Sequence, residues 1–330
     1  MKGRSCRVTL SSNVILRNAD AHCLILPSAT EIVYTLGLGD SLYGVTHECD
    51  YPPQARSKAV VVRSAVETVG KDSSAITDAV RQQAAAGRPM YKIDLGVLKE
   101  AKPDLVLTQA LCEVCAVPTQ QVDEAMDSLP QKPQVVSLDP YSIDDMLNNI
   151  LSVAEAAGVK GEGERVVGRL RVRRDAVASR AGMASHRPRV VCLEWLEPLL
   201  VAGHWGPEMV SLAGGEDCLG KAGESSYKVT WEQVAEAMPE VVVAMPCGMD
   251  VSRALAEVHL LTEKPGWGDL PAVKNNAFFV ADGSAYFSRS GPRLIDGLEL
   301  LAEALRPELF KGITPAGGAF RVYGRLFRLS

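Results

Sequence analysis

The sequence lacks any apolar run near the ~18 residues needed to cross a bilayer, which excludes a membrane-spanning helix. It also lacks an apolar signal core near its start, because the stretch ILRNAD breaks the only candidate. Eight cysteines among 330 residues are too sparse for a disulfide scaffold, and a reducing compartment is expected. The cytoplasm is therefore the expected location. Residues 1–19 carry Lys2, Arg4, Arg7 and Arg17 and no acid, so an organelle reached by a short transit segment is the alternative. Basic surface is scarce too: 35 Lys and Arg against 40 Asp and Glu leave a net charge of −5, which argues against a nucleic-acid partner. The one basic run, RVVGRLRVRR at 165–174, has helical spacing and reads as a solvated helix face. No G-x-S-x-G, P-loop, HExxH or strand-borne G-x-G-x-x-G occurs, so no enzyme is expected. TLGLGD is glycine-rich, but it closes a helix instead of opening one on a phosphate.

What the sequence does contain is a repeat. TEIVYTLGLGDSLYG (30–44) matches PEMVSLAGGEDCLG (207–220), and LKEAKPDLVLTQA (98–110) matches VAEAMPEVVVAMP (234–246), in the same order. Each pair is a helix ending in glycine, or a helix, a proline turn and a buried strand. Two similar α/β lobes therefore follow one another, and the cleft at the carboxyl ends of their parallel strands is the expected ligand site. The predicted fold is two Rossmann-like lobes with central parallel sheets, joined by a long rigid backbone helix. The predicted layout is a flexible segment 1–19, an N-terminal lobe 20–141, a connector 142–183 with its helix at 162–181, a C-terminal lobe 184–310 and a loose tail 311–330. Twenty helical residues rise about 30 Å, enough to span the back of both lobes. Strands are predicted at 22–26, 42–46, 105–108, 134–138, 189–193, 241–245 and 277–281, and helices at 73–86, 95–101, 119–129, 142–157 and 292–305. Residues 56–75 read as loop.

The stretches LPSATEIVYTLGLGD, DYPPQA, LKEAKPDLVLT, GGED, VTWEQVAEAMPEVVV and YFSRSGPRLIDGLELLAE resemble the class III, helical-backbone substrate-binding proteins, and most closely the cobalamin-binding periplasmic proteins of ABC importers. They run in family order over about residues 22–308. The resemblance implies non-catalytic binding of a corrinoid or related metal chelate and delivery to a membrane importer. It places Trp195, Tyr286 and Phe287 where aromatic rings flatten against a corrin. Gln109 stands where a tryptophan is expected, and Glu48 where another aromatic is expected, so the implied cage is thinner. The relatives present one acid on each lobe to the importer permease. Glu232 matches the second-lobe position; the first falls on Gly96, with Asp94 nearby.

Sulfur and imidazole take the place of those rings. His47 and Cys49 follow the second strand, Cys112 and Cys115 form a CxxC after LVLT, and Cys247 ends the matching second-lobe strand. These five are the candidate ligands for Zn²⁺, for an iron–sulfur cluster or for the metal of a chelate. The CxxC also reads as a redox pair or as thiols without a ligand. Glu194, His204, Trp205 and Arg289 complete the candidate ligand set; Arg289 and Arg293 are expected either at a ligand edge or paired with Glu208 or Glu299. Two further readings stay open: a metal-ion or iron–sulfur protein, and an intracellular thiol-dependent corrinoid-handling enzyme.

Overall fold

The computed structural model describes residues 22–24, 26–109, 117–311 and 321–322. Cys112 and Cys115, and the predicted flexible segment 1–19, lie outside the described residues. In the first sheet, strands β1 (His22–Leu24), β2 (Leu42–Thr46), β3 (Ala59–Ser64), β4 (Tyr91–Ile93), β5 (Leu105–Thr108) and β6 (Gln134–Ser137) are arranged in the order β4-β3-β2-β1-β5-β6. All neighbours are parallel except β3 and β4, which pair antiparallel at one edge. The core strand β5, LVLT, is buried at every position, as a parallel strand covered on both faces must be.

The second sheet has seven strands. β7 (Arg189–Leu196), β11 (Val241–Ala244) and β12 (Phe278–Val280) form its parallel centre, with Val191 opposite Val242 and Val242 opposite Phe278. β8 (Leu199–Val201) and β10 (Tyr227–Lys228) extend it antiparallel on one side, and β9 (Glu216–Asp217) pairs with the start of β7. β13 (Arg321–Val322) adds a strand beside β12, so the expected loose tail contributes to the sheet. Residues 56–75 are likewise not all loop, since β3 lies within them.

The helices that frame the cleft and its back are α1 (Pro27–Thr35), α2 (Ser73–Ala85), α3 (Leu95–Ala101), α4 (Thr119–Asp127), α5 (Ile143–Ala156), α6 (Lys160–Ala181), α7 (Gly206–Leu212) and α8 (Trp231–Glu236). α6 is the predicted backbone helix, 22 residues long and about 33 Å by its rise. Its buried side chains, Val166, Val167, Leu170 and Val177, keep to one stripe, and the other faces carry charge. α6 packs on α5, α7 and the closing helix Leu294–Leu305. Arg173 on α6 donates to Glu299 and Asp296 of that closing helix at 2.6–2.8 Å. One apolar cluster runs from Ile32 and Leu107 in the first lobe through Val166 and Val167 to Met209 and Leu298 in the second. The lobes thus share a continuous back, while the carboxyl ends of their strands face the opening.

Candidate functional site

The loop after β2 begins the first wall of the cleft. Residues 50–53, Asp50-Tyr51-Pro52-Pro53, cannot continue a strand because of the paired prolines. The second wall is the segment 281–293 after β12, where Asp282 caps a short helix by accepting from the Ala285 N–H. Between them lies a hollow of about 310 Å³, lined by Asp50, Tyr51 and Arg56 on one side and Arg253, Asp282 and Arg289 on the other. A second hollow of about 610 Å³ belongs to the first lobe alone, lined by Tyr34, Asp40, Gln54 and Lys58. Tyr51 lines both.

Two arginines of the second lobe cross the cleft. Arg293 donates from Nε and Nη2 to the two carboxylate oxygens of Glu31 on α1, at 2.9 and 2.6 Å. Its guanidinium lies 4.0 Å from the Tyr51 ring centre and 5.8 Å from that of Tyr286, within cation–π range. Arg289 donates to Asp50 and, at 3.0 Å, to the carbonyl of Glu48. It also stands 3.7 Å from Glu31. Burial pushes the Glu31 carboxyl up, against the pull of Arg293 and Arg289. Burial also raises Asp50, but the Arg289 hydrogen bond and charge outweigh it and hold that carboxyl below its ordinary range. Arg289 and Arg293 therefore pair with Glu31 and Asp50, not with the expected Glu208 or Glu299. Glu208 instead accepts from the Ile143 N–H, and Glu299 from Arg173.

The structure sorts the aromatic candidates. Tyr286 is half-buried beside Arg293 in the cleft. Phe287 is 6% exposed and Trp205 7%; both belong to the apolar core, and the Trp205 Nε1–H donates to the Phe287 carbonyl at 2.7 Å. Their rings are taken up by packing, which corrects the expectation that they face a ligand. Trp195 packs against the second-lobe core, and its Nε1–H donates to Thr77 Oγ1 on α2 and to the Glu197 carbonyl, both at 3.0 Å. His204, at a φ of +50°, has its ring tilted against those of Tyr141 at 5.8 Å and Trp205 at 5.6 Å. Its Nε2 is buried without a hydrogen-bond partner among the described residues, and burial lowers its pKa, so the neutral ring is favoured. The Glu194 carboxylate accepts weakly from the Gly203 N–H at 3.4 Å, tying the end of β7 to the His204 loop. Gln109 is half-buried at the end of β5. Glu48 is exposed, and its part in the crossing is its carbonyl.

Among the described residues no three His, Cys, Asp or Glu side chains converge on one metal position, while Cys112 and Cys115, two of the five candidate ligands, lie outside those residues. Cys49 turns into the core: its Sγ accepts from Thr30 Oγ1 at 2.9 Å and from the Thr46 N–H at 3.3 Å. Burial pushes this thiol up, away from the thiolate a metal needs. His47 lies 3.9 Å from Glu48, and Cys247 sits exposed on the opposite lobe, where its N–H donates to the Glu194 carbonyl. Asp94 caps α3, accepting from the Gly96 and Val97 N–H groups, and Glu232 is exposed in the first turn of α8. Sequence pattern alone does not single out Glu31 or Asp50, although Asp50 stands within the DYPP motif; Glu31 gives no signal beyond an acid in an apolar helix.

Comparison with known proteins fits this architecture. The chain is 24% identical over 287 residues to a vitamin B12-binding protein of Vibrio cholerae, covering 86% of this chain and 87% of the relative. It is 24% identical over 293 residues to YvrC of Bacillus subtilis, an uncharacterized ABC transporter substrate-binding lipoprotein, covering 87% and 80%. The crystal structure of periplasmic BtuF of Vibrio cholerae superposes with a TM-score of 0.66 at 20% identity, covering 88% of this chain and 98% of that one. The apo form of the periplasmic heme-binding protein RhuT from Roseiflexus does so at 0.66 and 21%, with the same coverage. These relatives also correct the expected location: they are periplasmic proteins and a lipoprotein, and the cytoplasmic and organellar readings are withdrawn. The names of these relatives describe binding proteins. Residues 25–285 match the family described as periplasmic binding protein, to which the chain therefore belongs.

Proposed function

We propose that the interlobe cleft binds a flat metal chelate, a corrinoid in the first place, and presents it to an importer permease. The observation that carries this reading is the alignment with a vitamin B12-binding relative over 86% of the chain. The cleft chemistry supports it. Tyr51 and Tyr286 offer ring faces for stacking. Arg289 and Arg293 are forked donors suited to the amide or carboxylate rim of such a ligand. Glu232 and Asp94, exposed on opposite lobes, are the candidate contacts for the permease. Purified protein titrated with cyanocobalamin, dicyanocobinamide and haemin, followed by absorbance, tests this. A Kd below about 100 μM for one of them is expected, and weaker binding of all three refutes the reading.

A further inference from the structure

The hollow between the lobes, about 310 Å³, stands at the small end of the ~300–1,000 Å³ range of sites for drug-sized molecules, and a corrinoid is larger. Helix α2 reaches from the first lobe onto the second, and the segment leading into it meets Arg253, which lines this hollow. Both its ends are rooted in the first sheet. It belongs to the long connection between β3 and β4, whose hairpin closes with the Ala65 N–H donating to the Met90 carbonyl at 2.8 Å. Its contacts, however, are with the second lobe. Ile76 is buried within the second-lobe apolar cluster, together with Val191 and Leu193, and Val80 packs against that cluster. The Ser73 N–H donates to Glu257 Oε1 at 2.9 Å, placing a carboxylate at the helix N-terminus, where its dipole favours it. Thr77 Oγ1 lies 2.9 Å from the Glu197 carbonyl and 3.0 Å from the Trp195 Nε1. Arg253 donates to the Thr68 and Lys71 carbonyls in the segment leading into the helix.

We infer that α2 is a strap, thrown from the first lobe onto the second, which holds the Nε1 edge of Trp195 through Thr77 and lifts to admit a ligand. The identity of what enters rests on the proposed chelate binding, but the opening itself does not. Three features make the strap releasable. Ile76 and Ser73 are its only buried residues among thirteen, so little surface holds it down. The docked face is imperfectly satisfied: Ser73 Oγ and Glu257 Oε2 are buried without partners among the described residues, a cost that release into water removes. Gly70 at φ +73° and Gly87 at φ +62° flank the helix in the left-handed region that glycine adopts without strain, the backbone freedom a hinge draws on. Lifting α2 frees the Nε1 edge of Trp195 that Thr77 now holds.

Native-state hydrogen exchange on the full chain tests this, with α5 as the internal reference. The α2 amides are expected to exchange by local opening at least roughly 100-fold faster than those of α5. Ile76→Ala and, separately, Glu257→Gln are expected to speed α2 by about 10-fold more and leave α5 unchanged. Saturating dicyanocobinamide or haemin is expected to speed α2 exchange as well. The strap is refuted if α2 exchanges at the α5 rate in all three proteins, or if a bound probe leaves α2 unchanged or slows it. The two readings separate cleanly. Fast α2 opening with no probe bound supports the strap and refutes the chelate reading; a bound probe with an α2 that never opens does the reverse.

Discussion

The guanidinium of Arg293, on the second lobe, grips both oxygens of Glu31, on the first, while its flat face lies over Tyr51. Glu31 is 2% exposed, so its charge has no water to fall back on. A buried pair contributes little against an apolar replacement, but breaking it from one side leaves an uncompensated charge. Arg293→Ala is therefore expected to cost about 3–5 kcal/mol in urea unfolding. Pairing Glu31→Leu with Arg293→Met is expected to recover most of that loss, by removing both charges together. A single-mutant cost near zero contradicts the geometry.

Asp50 and Arg289 make the second crossing, and it depends on pH. The folded-state pKa of Asp50 lies below its unfolded value near ~3.9. The stability it contributes is thus fully present above that unfolded value, and is lost as pH falls through the folded one. The Asp50 side chain is 46% exposed, so the contribution is no more than about 1 kcal/mol. Asp50→Asn is expected to lower stability by that amount at pH 7 and to leave it unchanged near pH 2. Melting curves of both proteins across that range, showing equal gaps at both ends, refute the linkage.

The sequence was legible where punctuation and burial agree. β2 and α3 start and stop where the sequence places them, and the Asp94 cap and Pro103 turn bound the second. The buried runs LVLT and VVVA could hardly be anything but parallel strands. β3 escapes such a reading because AVVVRS sits among charged and turn-forming residues, and its pairing with β2 and β4 supplies what local pattern lacks. The repeat foretold a cleft and the strand ends that face it. It could not foretell facing within a loop: Cys49 turns inward to Thr30 while Asp50, its neighbour, turns outward to Arg289. Nor could it show α2 crossing to the other lobe, since that depends on Ile76 finding a core far away in sequence.

Trp205 separates packing from ligand contact. Its ring lies in the core, and its one polar atom is bonded to the Phe287 carbonyl. Trp205→Phe keeps most of the volume but removes that hydrogen bond, with an expected loss of about 0.5–1.5 kcal/mol of stability. Trp205→Ala is expected to lose about 3–5 kcal/mol. Chelate affinity of the folded Trp205→Phe protein is expected to stay within about threefold of wild type, since the ring is packed in the core and not presented to the cleft. A large affinity loss with stability intact returns Trp205 to the ligand wall.

The cysteines provide the last test. Cys49 is 4% exposed, accepts hydrogen bonds from Thr30 and Thr46, and has its pKa pushed up by burial. Cys192 is 1% exposed and is pushed up still further by burial. Cys247 is exposed at the end of β11. Alkylation needs both the thiolate and access to it. Under native conditions at pH 8, iodoacetamide is expected to label Cys247 within minutes and to reach Cys49 and Cys192 only after unfolding. Peptide mapping by mass spectrometry reads each position separately. If Cys49 is labelled at the rate of Cys247, its thiol faces the cleft, and the case against it as a metal ligand fails with its burial.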